Sequence, residues 1–238
     1  MIKRKTILIL GATGGIGKAI SKSLSRNNNQ LLLHGNNKNK LASMERELDQ
    51  MDVNINSYQV DLSNPKSVTE FTNELCNKYP EIDWIINTAG YINEDEKKGE
   101  QSISSIERTF YINTIAPIYL TERIKKNITD VGGVIMISST ASLSANPGFP
   151  IYSASKSALN TFTKSLSKQF LNMNKSAFVI CPGGTNTTMR ERVAGDSLLQ
   201  QHPNVIAAEI SKIIDGLSEF KNGDIIIIKN GFVNKEGL

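Results

Sequence analysis

The residues best suited to acid–base chemistry are Tyr152 and Lys156, which lie four positions apart in a stretch with helical periodicity. That spacing places both side chains on one face of a helix, one turn apart. An ammonium group beside a phenol lowers the phenol pKa from about 10, so the pair predicts a general acid or base. The pair alone is common on solvated helix surfaces. Ser138 and Ser139 favour a site, because they end a predicted strand upstream of Tyr152.

A glycine-rich turn directly follows the first predicted strand. Residues 11–17 read Gly-Ala-Thr-Gly-Gly-Ile-Gly, and a helical pattern begins at once. Because no Cβ stands in the way, the backbone N–H groups and the positive end of the helix can approach a pyrophosphate. A tight turn between a strand and a helix, without a ligand, is the alternative interpretation of the same glycines. The position at the first strand–helix junction favours dinucleotide binding.

The end of the second predicted strand bears on which dinucleotide is bound. Sites selective for NAD usually place an acidic residue here to bind the adenosine 2′-hydroxyl. Residues 34–40 contain no acid, and the next one is Glu45, inside the following helix. Lys38 and Lys40 would attract a 2′-phosphate, or would simply solvate the start of that helix. The sequence therefore favours NADP(H) and leaves NAD(H) open.

Composition and charge exclude several other kinds of protein. The chain has 238 residues, of which 39% are hydrophobic and 21% are charged, as in a folded globular domain. The net charge of +4 is dispersed, and no apolar run approaches the roughly 20 residues that span a bilayer, so we expect neither a nucleic-acid partner nor a membrane segment. Cys76 and Cys181 are too few for a disulfide framework, and His34 and His202 lack metal-ligand companions. We therefore expect a cytoplasmic protein without a metal site.

Short β-branched runs alternate with amphipathic helical patterns along the chain. The predicted strands cover residues 6–10, 30–34, 55–60, 84–87, 134–138, 177–181 and 224–228. Most of them are apolar on both faces, as expected for strands that helices cover on both sides. This order predicts an α/β fold, a doubly wound parallel sheet of about seven strands flanked by helices on both faces. No linker or repeat divides the chain, so we expect one domain over residues 1–238.

The glycine turn and several later segments resemble the cofactor-binding motifs of the short-chain dehydrogenase/reductase family, in its ordinary Rossmann-like short form. Asp61 and Leu62 resemble the pair that contacts adenine after the third strand. Residues 87–90, Asn-Thr-Ala-Gly, resemble the Asn-Asn-Ala-Gly motif, and residues 182–187 resemble the Pro-Gly-x-x-x-Thr segment that closes over the nicotinamide. The resemblance implies that the dinucleotide is bound by Gly11, Thr13, Gly14, Gly15, Ile16, Gly17, Asn36, Asp61, Leu62, Asn87, Ala89, Gly90, Tyr152, Lys156, Pro182, Gly183, Thr185 and Thr187.

The acid–base pair and its serine complete the resemblance. Ser139, Tyr152 and Lys156 are similar to the family's catalytic trio, and Asn113 is similar to its helix asparagine. The resemblance implies that Tyr152 exchanges a proton with the substrate oxygen while Ser139 holds that oxygen. Lys156 would lower the tyrosine pKa and bind the nicotinamide ribose, and Asn113 would anchor the water that links Lys156 to solvent.

Two segments near the site are not fixed by these motifs. Residues 188–202 correspond to the variable lid that sets substrate choice in such enzymes. Arg190 and Arg192 within it would meet an anionic substrate or simply solvate a helix. Residues 91–99 are unusually charged, and we expect them to form an exposed loop at the mouth of the site.

The combined expectation is an NAD(P)-dependent oxidoreductase that interconverts a carbonyl and a secondary alcohol of a small molecule by hydride transfer. The arginines that many NADP-dependent members carry are replaced by Gly14 and Asn36, so the preference for NADP(H) should be modest. A 3-oxoacyl-[acyl-carrier-protein] reductase is one alternative, although residues 91–99 lack the Thr-Arg-Asp of many such enzymes. A non-catalytic dinucleotide sensor is another, although such proteins generally lose the tyrosine or the lysine. The resemblance also implies a homodimer or homotetramer, assembled through helices near residues 102–126 and 151–172 and through the last strand.

Overall fold

An eight-stranded sheet forms the centre of the protein. The computed structural model describes residues 4–194 and 200–236. The strands are β1 Thr6–Leu10, β2 Asn29–Gly35, β3 Val53–Gln59, β4 Ile82–Asn87, β5 Ile128–Ile137, β6 Ser176–Pro182, β7 Ile225–Lys229 and β8 Phe232–Lys235. They lie in the order β3-β2-β1-β4-β5-β6-β7-β8, and all neighbours from β3 through β7 run parallel. The predicted doubly wound parallel sheet is confirmed.

The sheet has one strand more than the seven that the sequence predicted. β8 pairs with β7 in antiparallel orientation through a two-residue turn. Asn230 and Gly231 form that turn, and both have positive φ, at 52° and 79°. This matches a type I′ hairpin turn, for which Asn-Gly is a favoured pair. The prediction missed β8 because the strand has only four residues, two of them polar.

Helices cover both faces of this sheet. They are α1 Gly15–Leu24, α2 Lys38–Leu48, α3 Pro65–Lys78, α4 Ile103–Phe110, α5 Ala116–Ile124, α6 Ala141–Ser144, α7 Pro150–Phe170, α8 Thr188–Ala194 and α9 Pro203–Ile214. Short 3₁₀ turns occupy Glu94–Lys98 and Lys125–Asn127, and a π-helical turn, Tyr111–Ile115, separates α4 from α5. The one helix expected near residues 102–126 is therefore divided. Within the described ranges, no helix is long and apolar enough to cross a membrane.

Alternate residues of β1 face opposite sides of the sheet and belong to two separate cores. Ile7 and Ile9 lie in the core that includes residues of α1, α2 and α9. Leu8 and Leu10 lie in the core that includes residues of α3, α5 and α7. All four side chains are fully buried. Burial on both faces explains why the strand is continuously apolar, as a helix-covered parallel sheet requires.

The carboxyl ends of the parallel strands create the edge on which ligands bind in this architecture. β1 lies between β2 and β4, so the order of the strands reverses direction beside it. Ligands of doubly wound sheets bind in the crevice outside the strand ends at such a reversal. The strands β1, β4, β5 and β6 end at this edge with Leu10, Asn87, Ile137 and Pro182. Each of these residues is adjacent to or part of a segment that the sequence assigned to the site.

Candidate active site

The glycine turn between β1 and α1 is shaped for the close approach of a phosphate. Gly14 is the N-cap of α1, and no side chain caps this end of the helix. Gly11 has a φ of +76°, and a Cβ on it would lie 2.7 Å from the Ala89 Cα. A Cβ on Gly15 would lie 2.6 Å from the Thr187 Cγ2. Uncapped N–H groups and a backbone that excludes side chains fit the pyrophosphate of a dinucleotide.

His34, at the end of β2, supports this turn, a role that the sequence did not predict. The Gly11 N–H donates to Nδ1 of His34 at 3.1 Å, and Nε2 of the same ring bonds the Val60 carbonyl at 3.0 Å. Burial lowers the pKa of His34 from 6.5 to about 4, so the ring is neutral near pH 7. Only a neutral ring can accept from one neighbour and donate to the other at the same time.

The motif that follows β4 is held against the glycine turn. The Asn87 Oδ1 accepts from the Ala89 N–H at 3.2 Å. The Thr88 hydroxyl donates to the Leu10 carbonyl at 2.8 Å and to the Gly11 carbonyl at 3.0 Å. Thr88 therefore joins β4 to the turn at the position where the similar family motif has its second asparagine.

A cleft of about 270 Å³ opens beside the turn, at the ends of β2 and β3. It is lined by side chains predicted to meet the adenosine end of a dinucleotide, namely Asn36, Lys40, Asp61 and Leu62. Arg108, which was not predicted, also lines it, and its guanidinium lies 5.2 Å from the centre of the Tyr91 ring. Hydrogen bonds from Ser63 hold the pKa of Asp61 below its usual range, so this carboxylate is charged. One acid and two basic side chains therefore share this end of the site.

A groove of about 470 Å³ connects the glycine turn to the acid–base pair. Its lining combines predicted residues from both regions: Thr13, Gly14, Gly15, Ile16, Gly17, Gly90, Tyr152, Lys156 and Thr187. It also includes Asn36 and Lys40, which line the adenosine cleft. In the part of the chain that the structure describes, no three or more His, Cys, Asp or Glu side chains are grouped so as to hold a metal ion.

Tyr152 and Lys156 lie near the start of α7, beside the end of β5. The Lys156 Nζ donates to the Ile137 carbonyl at 2.9 Å, and the residue is 3% exposed. The Ser138 hydroxyl donates to the Lys156 carbonyl at 3.2 Å, which ties α7 to the strand. The neighbouring Ser139 lies close enough to the Tyr152 phenol to lower its pKa. The structure thus brings together Ser139, Tyr152 and Lys156, three of the four residues that were predicted to be catalytic, the fourth being Asn113.

The pKa values of the pair differ from the expected pattern. Burial raises the pKa of Tyr152 to about 12, against a smaller lowering by the hydrogen bond from Ser139. Burial also lowers the pKa of Lys156 to about 8. The expectation that the ammonium lowers the phenol pKa is wrong for the polypeptide itself, because removal from water favours the neutral form of both groups. A neutral phenol is the form that donates a proton.

Asn113, in the π-helical turn, connects the loop after β4 to α7. Its Oδ1 accepts from the Tyr91 N–H at 2.6 Å, and its Nδ2 donates to the Tyr91 carbonyl at 2.8 Å and to the Ser155 hydroxyl at 2.9 Å. A Cβ built on Gly90 would lie 3.7 Å from this Oδ1 and 3.4 Å from the Lys156 Nζ. Asn113 and Lys156 therefore approach each other across a residue without a side chain. The water-mediated link between them stays a prediction.

A second cleft, of about 350 Å³, opens beside Ser139 and Tyr152. The predicted nicotinamide-side residues Ile16, Pro182, Gly183, Thr185 and Thr187 line one part of it. Phe149, Met189, Arg190 and Val193 line another part, together with polar residues that follow β5. This mixture of apolar and polar groups next to the phenol suits a small organic substrate with a polar reacting centre.

Helix α8, Thr188–Ala194, is the described part of the predicted lid, and residues 195–199 lie outside the described residues. The end of that predicted segment belongs to other elements. Gln201 is 6% exposed, and its Nε2 donates to the Ile228 carbonyl at 2.8 Å, at the end of β7. His202 is the N-cap of α9. These contacts anchor the two residues to the fold instead of leaving them in a lid.

The charged segment after β4 departs from the expected exposed loop. Most of its charged residues are exposed, but Glu96 is only 6% exposed. Its carboxylate accepts from the backbone N–H groups of Ile151 and Tyr152, at the start of α7. The prediction failed at this residue because a run of charges resembles a solvated surface even when one member faces a helix end.

Comparison with known proteins identifies the family. A family model described as short chain dehydrogenase matches residues 5–197. The chain belongs to the short-chain dehydrogenase family. As a short-chain dehydrogenase it is an oxidoreductase that uses a nicotinamide dinucleotide.

Relatives of this short-chain dehydrogenase act on different substrates. The chain is 32% identical over 191 residues to the 3-oxoacyl-[acyl-carrier-protein] reductase FabG of Rickettsia felis. That match covers 79% of this chain and 76% of that protein. It is 25% identical over 193 residues to a 3beta-hydroxysteroid dehydrogenase of Mediterraneibacter gnavus. That match covers 81% of this chain and 70% of that protein. Membership of the family therefore leaves the substrate open.

Solved structures share the fold over nearly the whole chain. A dehydrogenase/reductase from Sinorhizobium meliloti 1021 has a TM-score of 0.83 at 25% identity, and the match covers 95% of this chain and 94% of that one. A blue fluorescent protein from a metagenomic library, in complex with NADPH, has a TM-score of 0.85 at 24% identity, over 96% of this chain and 97% of that one. The second likeness is evidence for the fold alone.

Proposed function

We propose that this short-chain dehydrogenase uses NADP(H) to interconvert a carbonyl group and a secondary alcohol on a small molecule, with Tyr152 as proton donor and acceptor. The observation that carries the proposal is the position of Tyr152. The residue lines both the groove that continues from the glycine turn and the 350 Å³ cleft beside Ser139. A proton donor at this junction can reach a substrate oxygen whose carbon faces the groove.

The neutral phenol suits the reductive direction. Because its pKa is raised to about 12, Tyr152 retains its proton at neutral pH and can donate it to a carbonyl oxygen. The Ser139 hydroxyl would donate a second hydrogen bond to the same oxygen and stabilise the charge that develops there. When bound, the nicotinamide supplies hydride in reduction and takes it up in oxidation.

Lys156 would stabilise the charge that forms on Tyr152. One of its three N–H donors is bonded to the Ile137 carbonyl, which fixes the direction of the ammonium. We assign the remaining donors to a ribose hydroxyl and to the side of the site that holds Tyr152. With a pKa of about 8 the lysine is still charged near pH 7, so it would stabilise the tyrosinate that remains after proton transfer.

Support for NADP(H) comes from the adenosine cleft. Asn36 is uncharged, and Lys40 and Arg108 line the same cleft, so a 2′-phosphate would meet two cations. Both cations are exposed, which limits the strength of each contact. Solved structures of this fold include several complexes with NADP or NADPH. We therefore expect NADPH to bind more tightly than NADH, by a modest margin.

A 3-oxoacyl-[acyl-carrier-protein] reductase is a second candidate within the same chemistry. It is favoured by the 32% identity to the Rickettsia felis enzyme. Arg190 lines the substrate cleft and would meet an anionic group on such a substrate. Simple ketones and keto-sugars fit a cleft of about 350 Å³ as well.

The test compares the wild type with Tyr152→Phe and with Tyr119→Phe, a matched change outside the site. Each protein is assayed with NADPH and NADH against ketones, 3-oxoacyl thioesters and keto-sugars, by nicotinamide absorbance. We expect Tyr152→Phe to lose about three orders of magnitude in kcat, while NADPH affinity stays within about threefold and Tyr119→Phe stays active. If Tyr152→Phe retained more than about a tenth of kcat, the proposed role of Tyr152 would be wrong. A wild type that binds NADPH and reduces nothing would favour the dinucleotide sensor.

Three further expectations accompany the proposal. They are a cytoplasmic location, a single domain over residues 1–238, and assembly as a homodimer or homotetramer. Light scattering after size-exclusion chromatography measures the assembly directly.

A further inference from the structure

The helix that carries Tyr152 and Lys156 lacks a cap of its own. Its N-cap residue is Phe149, whose side chain makes no capping hydrogen bond, and Pro150 occupies the first helical position. The next two N–H groups, those of Ile151 and Tyr152, precede the first intrahelical donors and need acceptors from elsewhere. Tyr152 therefore lies in the turn of α7 that is most prone to fray.

Glu96 supplies the missing acceptors from 55 positions earlier in the chain. Its Oε1 accepts from the Ile151 N–H and from the Tyr152 N–H, the latter at 3.2 Å, and its Oε2 lies 3.4 Å from the Tyr152 nitrogen. A capping side chain normally accepts from these same two helical positions. A carboxylate is the strongest choice here, because it is negative at the positive end of the helix.

The 3₁₀ turn that carries Glu96, Glu94–Lys98, is held in place from the other side. The Lys97 Nζ donates to the Val193 carbonyl of α8 at 3.1 Å. The Glu94 carboxylate lies 3.9 Å from the Arg192 guanidinium, also on α8. The turn therefore spans from the helix beside the substrate cleft to the start of α7.

We propose that Glu96 is a positioning residue, which fixes the first turn of α7 so that the Tyr152 hydroxyl stays aligned with Ser139 and Lys156. This proposal rests on the proposed function of Tyr152. Lys156 is anchored separately, because Ser138 bonds its carbonyl and Ile137 accepts from its ammonium. Loss of the cap would thus move the phenol relative to a lysine that stays in place.

The size of the effect follows from the geometry that proton transfer needs. A displacement of about 1 Å in a reacting group can reduce the rate on the order of 100-fold. Cofactor binding should change little, because the glycine turn is held by His34 and Thr88 instead. A positioning role therefore predicts a fall in kcat with a nearly constant affinity for NADPH.

The experiment compares Glu96→Gln, Glu96→Ala and the control Glu100→Gln, an exposed residue that follows the same turn. Glutamine keeps an acceptor oxygen but loses the charge, so we expect kcat to fall about threefold to tenfold; alanine should lower it about 100-fold. NADPH affinity should stay within about threefold in both, and Glu100→Gln should resemble the wild type. A kcat for Glu96→Ala within about twofold of the wild type, even with a lower Tm, would overturn the proposal.

A second measurement does not depend on turnover. Hydrogen exchange of the segment 149–156 should be faster in Glu96→Ala than in the wild type, and intermediate in Glu96→Gln, because the amides of Ile151 and Tyr152 lose their acceptor. Unchanged exchange at these amides would overturn the proposal even if kcat fell. Tyr152→Phe, assayed in parallel, separates the proposed role of Glu96 from the proposed function of Tyr152. If Tyr152→Phe stays active, the proposed function of Tyr152 is wrong, and the exchange data alone decide whether Glu96 holds this turn.

Discussion

Protonation of His34 should destabilise the folded protein as the pH falls from 6.5 to about 4. The ring is 3% exposed, and burial lowers its pKa from 6.5 to about 4. Between these two values the unfolded chain binds a proton that the folded chain does not bind, so the free energy of unfolding falls as the pH falls. The stability that the neutral His34 contributes is fully present above pH 6.5 and is lost as the pH falls to about 4.

The magnitude follows from the width of that window. One proton changes the free energy of unfolding by about 1.4 kcal/mol per pH unit. Over the interval from 6.5 to about 4 the loss attributable to His34 is therefore on the order of 3 kcal/mol. That is a large share of the roughly 5–15 kcal/mol that stabilises a folded protein.

The assay is urea unfolding of the wild type and His34→Asn at pH 7.5, 6.5, 5.5 and 4.5. Asparagine can still accept from the Gly11 N–H but does not titrate. At pH 7.5 we expect the variant to be less stable by about 1–2 kcal/mol, since it loses the bond to the Val60 carbonyl. Below pH 6.5 the difference should shift in favour of the variant by about 1.4 kcal/mol per pH unit and change sign before pH 4.5, because only the wild type carries His34. The carboxylates titrate equally in both proteins and cancel from the comparison. Two parallel stability curves would refute the reasoning.

Three further substitutions test the buried lysine and the cofactor preference. Lys156→Met should raise the free energy of unfolding at pH 7 by about 1–2 kcal/mol while it lowers kcat. Burial lowers the lysine pKa from 10.5 to about 8, so the folded protein holds the charged form at a cost. The hydrogen bond to the Ile137 carbonyl offsets only part of that cost. Urea unfolding and turnover measure the two effects, and a less stable Lys156→Met would contradict the account. Asn36→Asp should weaken NADPH binding about tenfold and leave NADH within about threefold, whereas Asn36→Arg should favour NADPH. Fluorescence titration at fixed ionic strength checks this, and equal effects on both cofactors would show that position 36 does not face the 2′ group.

The parts of the site that the sequence predicted are those specified by local spacing. The glycine turn and the Tyr152–Lys156 pair each lie within a single strand–helix junction or helix, so their geometry follows from a few adjacent residues. The parallel sheet follows from the alternation of apolar runs and helical patterns. The hairpin of β8 was not predicted, although Asn230-Gly231 is a strong turn signal.

Other contributions depend on contacts between distant segments. His34 bonds residues of two other segments, and Arg108 reaches the adenosine cleft from α4. The π-helical turn that carries Asn113 interrupts a stretch that resembles one long helix. Glu96 lies in a run of charges whose composition is that of a solvated loop. In none of these cases does the neighbouring sequence specify the partner, because the partner lies in a distant segment that only the folded chain brings close.

Burial shifts the pKa values of both Tyr152 and Lys156, so the chemistry of the pair depends on its removal from water. A phenol with a pKa of about 12 and a lysine with a pKa of about 8 are both shifted towards their neutral forms by the same removal from water. The shift keeps Tyr152 protonated and ready to donate, but it also makes the tyrosinate left by donation costly. In the proposed function, the charge on Lys156 would matter most after proton transfer, when it would face an anion instead of a neutral phenol. Differential stabilisation of that later state, rather than a low phenol pKa at rest, is what would speed the reaction.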